Sequence, residues 1–136
     1  MKIFVSYSHE DREIVKDLTA QLQAANVQVW DAGRDVNPGE NLSLEIGKAL
    51  EQSDAMIVLV SPKSIKSLLV QREFEYALTS PNFKDRLIVV EIKPTKHLPW
   101  ILRKFRPIRF YESPAKAKRN IVNRVRHLAK ATANAS

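Results

Sequence analysis

Glu73 stands among four apolar helical neighbours: Leu69 and Val70 precede it, and Tyr76 and Ala77 follow it. Residues three and four apart share a helix face, so its carboxylate is aimed at packed surface or a cleft rather than at open water. Burial disfavours the charged form, so an unpaired Glu73 is expected to keep its proton to higher pH than an ordinary glutamate. Groups of that kind gather at working sites. The competing reading is a residue at the edge of the apolar stripe whose head reaches water. Glu75 makes the contrast, because its neighbours Gln71, Arg72 and Thr79 mark a solvated position.

Other routes to chemistry close quickly. The chain has no cysteine, which removes thiol nucleophiles, cysteine–zinc sites and disulfides, and suits a reducing cytoplasm. His9, His97 and His127 have no ligand spacing, so no metal site is expected. The three glycines, Gly33, Gly39 and Gly47, all lie outside the first strand-to-helix turn, so there is no dinucleotide fingerprint. There is also no Gly-Lys-Ser/Thr phosphate loop and no Gly-x-Ser-x-Gly elbow. A phospho-receiver needs acidic residues after its first strand, where this chain reads Val5-Ser6-Tyr7-Ser8.

The elements that must position Glu73 alternate between short apolar runs and helical patterns, the signature of βα units around a parallel sheet. Strands are expected over 2–7, 27–30, 55–60, 86–92 and 108–111. Helices are expected near 10–25, 42–52, 64–79 and 114–131, with an ill-defined, proline-bearing stretch over 93–107. Ser8-His9-Glu10-Asp11 reads as a capping box opening the first helix, and Ile14, Val15, Leu18 and Leu22 as its buried face. The fold class is therefore α/β: a flavodoxin-like three-layer sandwich with a five-stranded parallel sheet in the order 2-1-3-4-5 and helices on both faces. At 136 residues one domain is expected over 1–131, with 132–136 a flexible tail or linker. In such sheets ligands bind beyond the carboxyl ends of the strands, beside strands one and three. That places Tyr7, Ser8, His9 and the segments after Trp30 and Val60 around one opening.

Charge is divided along the chain. Residues 1–92 hold 10 Lys/Arg and 14 Asp/Glu, whereas residues 93–136 hold 12 and 1. The basic 93–130 segment is read as a solvated helix face in preference to a nucleic-acid contact, because its cations are not interleaved with aromatic residues. A nucleic-acid or lipid contact there is the weakest of the partner readings. No stretch approaches the length of a membrane span, and the start is too short for a signal peptide, so a cytoplasmic location is expected.

Three segments, Ile3-Phe4-Val5-Ser6-Tyr7-Ser8, Arg34-Asp35-Val36-Asn37-Pro38-Gly39-Glu40 and Val70-Gln71-Arg72-Glu73, resemble the Toll/interleukin-1 receptor (TIR) domain family, in its order and at its spacing. The prokaryotic branch is the nearest. The first segment resembles box 1 and the second box 2, the BB loop, while the Phe-Trp pair of box 3 is absent. The loop also has a local reading: Pro38 fixes φ, Gly39 accepts positive φ and Asn41 caps the next helix.

The resemblance implies that Glu73 is the catalytic glutamate of an NAD-cleaving enzyme. Its carboxylate would hold the ribose hydroxyls and stabilise oxocarbenium-like charge as nicotinamide leaves, giving ADP-ribose or a cyclic isomer. No cofactor is implied, since NAD is the substrate. The substrate contacts implied are Tyr7, Ser8, His9, Arg34, Asp35, Leu69 and Tyr76. Leu69 stands where the family pattern Trp-x-x-x-Glu has tryptophan; Trp30, Tyr7 or Tyr76 would have to supply the stacking, although Trp30 reads as core. The resemblance further implies head-to-tail association with other TIR domains through Arg34, Asp35, Asn37, Pro38, Gly39 and Glu40. The alternative is a non-catalytic TIR–TIR interaction module.

Overall fold

The computed structural model describes residues 1–135; Ser136 lies outside the described residues. Five strands, β1 (Lys2–Ser6), β2 (Gln28–Trp30), β3 (Ala55–Val60), β4 (Leu87–Glu91) and β5 (Ile108–Arg109), form one parallel sheet in the order β2-β1-β3-β4-β5. The helices are α1 (Arg12–Ala24), α2 (Ala32–Asp35), α3 (Leu42–Gln52), α4 (Leu68–Thr79), α5 (Trp100–Arg103) and α6 (Pro114–Ala135). The expected fold class is the one found. Helical backbone in α6 continues past residue 131, into the segment read as a tail.

Each face of the sheet owns a core, and strand alternation divides the residues between them. Ile3 and Val5 of β1, with Ile57, Leu59, Ile88 and Val90, pack against Val15, Leu18 and Leu22 of α1 and Ile121 and Val125 of α6. Phe4, Met56, Val58 and Val89 turn the other way, against Ile46 and Leu50 of α3 and Val70, Phe74 and Ala77 of α4. The same alternation continues beyond the strand: Ser6 faces the α3–α4 side, and Tyr7 packs on the α1–α6 side.

Several local expectations are corrected. The capping box at Ser8–Asp11 does not form, because neither Ser8 nor Asp11 makes a side-chain cap bond. Residues His9–Asp11 make a 3-10 turn instead, and Asp11 is drawn inward, accepting from Ser61 Oγ at 2.6 Å and from Lys93 Nζ at 3.5 Å. The helix expected over 64–79 is broken into a 3-10 turn, Ser64–Lys66, and α4, because the Ser67 side chain caps α4 by accepting from the Val70 N–H. Among the described residues, no helix is long and apolar enough to cross a membrane.

Candidate functional site

Glu73 lies on the packing face of α4, between Val70 and Ala77, and only 6 % of it is exposed. Its carboxylate accepts a hydrogen bond from Ser6 Oγ at 2.7 Å. Burial pushes its pKa up from the ordinary 4.5 to about 7, and the Ser6 hydroxyl opposes the rise. The expectation of a buried carboxylate with a raised pKa is met.

The residues expected to surround it go elsewhere. Tyr7, His9 and Arg34 line an opening of about 440 Å³ between α1 and the segment after β2, together with Arg12, Thr19 and Asp31. Tyr7 donates its hydroxyl to Asp31, whose side chain also accepts from the Gly33 N–H at 2.9 Å and so caps α2. Burial, then the Asp31 hydrogen bond and charge, hold the phenol above its ordinary pKa, and the Glu73 charge is the last of the contributions. Ser8 lies at the start of the 3-10 turn, where its carbonyl accepts from the Asp11 N–H at 2.8 Å. Leu69 is exposed on α4, and Tyr76 sits edge-on to Phe83 with its ring centroid 6.0 Å away. Trp30 stacks on Phe4 at 5.1 Å, so it is a packing residue.

Arg34 and Asp35 brace the base of the BB loop. The guanidinium donates to both Asp35 oxygens, at 3.0 and 2.9 Å, and to the Val29 carbonyl. Asp35 Oδ2 also accepts from the Asp31 N–H at 2.8 Å. Burial would raise the Asp35 pKa, but the bonds from Arg34 and the Asp31 backbone leave it below the ordinary range; the same bond to Asp35 raises that of Arg34. Beyond them, the Glu40 N–H donates to the Asn37 carbonyl at 3.1 Å across Pro38 and Gly39, and Gly39 has φ of +90°. This is a type II turn, for which proline and glycine are the fitted residues. The Glu40 carboxylate accepts from the Asn37 N–H at 2.7 Å, and Asn41 caps α3 through the Leu44 N–H at 3.1 Å. Past the turn, Leu42 is 47 % and Leu44 54 % exposed.

Sequence reasoning missed Asp31, which joins the ends of β1 and β2, and gave Asp11 only a capping role, whereas it is held to the segments after β3 and β4. Asp31 carried a usable signal, an aspartate closing a strand just ahead of a short helix, which is the N-cap position. Asp11 carried none, because its partners Ser61 and Lys93 are 50 and 82 residues away.

A family model described as TIR domain matches residues 3–124. Among solved structures, the chain is similar to the TIR domain of the Toll-related receptor TRR-2 from Hydra magnipapillata. The identity is 23 %, with 91 % of this chain and 97 % of that one covered and a TM-score of 0.78. It is also similar to a prokaryotic SEFIR domain, at 17 % identity, with 90 % of each chain covered and a TM-score of 0.67. No curated protein matches the chain.

The expectation of an NAD-cleaving enzyme is corrected by these findings. The presumed catalytic carboxylate is buried on the packing face of α4 and bonded to Ser6, and of the residues assigned to the nucleotide Tyr7, His9 and Arg34 line an opening beside α1 while Leu69 and Tyr76 stand on α4. The descriptions of the solved relatives are of a receptor's TIR domain and a SEFIR domain. The non-catalytic alternative fits this arrangement better.

Proposed function

Because the chain belongs to the TIR-domain family, over residues 3–124, we propose that it is a non-catalytic interaction module that associates with other TIR domains, copies of itself included, through its BB loop. The observation that carries this reading is the pairing of a braced turn with exposed apolar surface. Gly39 has open space within 4 Å of where a Cβ would stand, and Leu42 and Leu44 follow it in the first turn of α3 with about half their surface in water. Burying a leucine side chain fully is worth roughly 1.5–3 kcal/mol, so a partner covering both gains a useful fraction of that twice. Asn37, Pro38, Gly39 and Glu40 supply the shape, while Arg34 and Asp35 hold the loop to β2.

The contact is head-to-tail, the loop of one domain meeting a different surface on the next, and contacts of that kind propagate into open arrays. The unit is residues 1–131, in a prokaryotic, cytoplasmic signalling setting; the cysteine-free composition supports a reducing compartment.

Sedimentation velocity across a concentration series tests the reading, with Leu42→Asp and Leu44→Asp combined. Acids in the first turn of a helix are favoured by its dipole, so the double variant keeps its fold. Concentration-dependent association in the wild type that is lost in the variant supports the proposal; association unchanged in the variant removes the BB loop from it.

A further inference from the structure

The basic residues after β4 converge into one surface. Two openings of about 510 Å³ each share Arg106, Pro107 and Arg109 as a common wall. Lys96 and Arg103 line one side of that wall, and Lys116 and Arg124 of α6 line the other. On the opposite flank of α6, Arg119 and Arg126 line a third opening toward α1. Two acids lie among these eight cations, and both are engaged. Glu91 is buried and accepts from the Thr95 N–H at 2.9 Å, and Glu112 pairs with Arg109 at 3.2 Å. No other of the eight has an acidic partner among the described residues.

Arg106 adds an independent observation. It holds φ of +49°, in the left-handed region that asparagine and aspartate tolerate and arginine rarely adopts. The other two non-glycine residues with positive φ are Asn26 and Asp85. Like Asn26 after α1, Arg106 follows a helix end, where a left-handed residue closes the turn, and here it sets an arginine on the ridge between two basic grooves.

One aromatic residue lines this surface, and a second stands three residues before Arg103 on α5. Tyr111 lines the groove with Arg103 and Arg109, and Trp100 is 64 % exposed, one ring face covered by Lys104 Nζ at 4.9 Å. In the linear sequence these aromatics look too few and too scattered to form a stacking platform. The fold sets Tyr111 in the wall of a groove lined by Arg103, Arg106 and Arg109. Arginine forks match phosphate oxygens, and exposed rings accept bases of any identity.

We infer that the two grooves lined by Lys96, Arg103, Arg106, Arg109, Lys116 and Arg124 bind single-stranded nucleic acid through its phosphates, with Tyr111 receiving a base. The cations line two concave grooves on either side of the wall at Arg106 and Arg109, a shape that a flexible strand can follow and a flat bilayer cannot. This surface is separate from the BB loop.

Fluorescence anisotropy of a labelled single strand of about 12 nucleotides tests the inference. If about five phosphates are neutralised, affinity falls about a hundredfold between roughly 50 and 200 mM salt. Arg106→Gln with Arg124→Gln flattens the salt slope and weakens binding about tenfold or more. Lys66→Gln with Arg72→Gln, the same charge removed from exposed positions elsewhere, changes affinity far less. Tyr111→Ala costs about tenfold through lost stacking.

Three results overturn the inference: no binding at about 50 mM salt, equal loss in the two double variants, or a polyglutamate peptide or anionic vesicles of equal charge displacing the strand as well as unlabelled oligonucleotide does. The last would reassign the grooves to an acidic protein segment or to lipid.

Discussion

Glu73 imposes a cost whose sign runs against the usual carboxylate behaviour. Its pKa is about 7 in the fold and 4.5 ordinarily. Below about pH 4.5 it is protonated whether the chain is folded or not, and the fold bears no penalty. Between those values the folded protein keeps a proton that the unfolded chain has released, so stability falls as pH rises. Above about 7 both forms are ionised and the full penalty is present. At about 1.4 kcal/mol per pH unit, the displacement amounts to about 3 kcal/mol.

Glu73→Gln keeps the shape and the acceptor for Ser6 Oγ but cannot ionise. The variant is therefore expected to match the wild type near pH 4.5 and to be more stable by up to about 3 kcal/mol near pH 8, or about 10 °C in Tm for a domain of this size. Thermal and urea unfolding of both proteins across that range measure the difference. A difference that does not change with pH, or a glutamine variant less stable at pH 8, would refute the reasoning.

Three further outcomes follow from the same contacts. Ser6→Ala removes the hydroxyl that donates to Glu73 and should cost roughly 1–3 kcal/mol, more at pH 8 than at pH 5, by urea titration at both. Gly33→Ala puts a Cβ 2.9 Å from the Tyr7 hydroxyl, close to Asp31; a loss of roughly 1–3 kcal/mol is expected, with the Tyr7 phenol titrating nearer its ordinary value by ultraviolet absorbance. Incubated with NAD at high protein concentration, wild type and Glu73→Ala should release nicotinamide at the same background rate by chromatography; Glu73-dependent release would count against the non-catalytic reading.

The sheet was legible because a parallel strand buried on both faces leaves a nearly unbroken apolar run, as in Ala55–Val60, and because β-branched residues dominate those runs. The BB turn was legible for a different reason. Pro38 and Gly39 are local determinants, and the backbone does what those two residues dictate. Two helices were not foreseen, α2 and α5, since four residues are too few to display a period.

The site divides along the same line between local and distant information. Of the four apolar neighbours that suggested burial, Val70 and Ala77 share the buried face with Glu73, while Leu69 and Tyr76 are exposed. The hydrogen bond to Glu73 depends on Ser6, 67 residues away, and on which face of β1 that serine occupies. The adjacent Tyr7 then points to the opposite side of the sheet, so a contiguous motif in the sequence becomes two separate environments in space. The basic grooves show the reverse: residues from 96 to 124 that read as scattered surface charge become neighbours only once β5 and α6 are placed side by side.

The central claim, a TIR module that works by association through its BB loop, is tested most directly by weight-average mass from light scattering over a concentration series, wild type against Gly39→Arg. The arginine enters open space at a backbone angle costing about 1–2 kcal/mol, which leaves the domain folded. The account predicts a mass that climbs with concentration for the wild type and stays at that of a single 15.5 kDa chain for the variant. Identical curves for the two proteins, whether both climb or both stay flat, would contradict it.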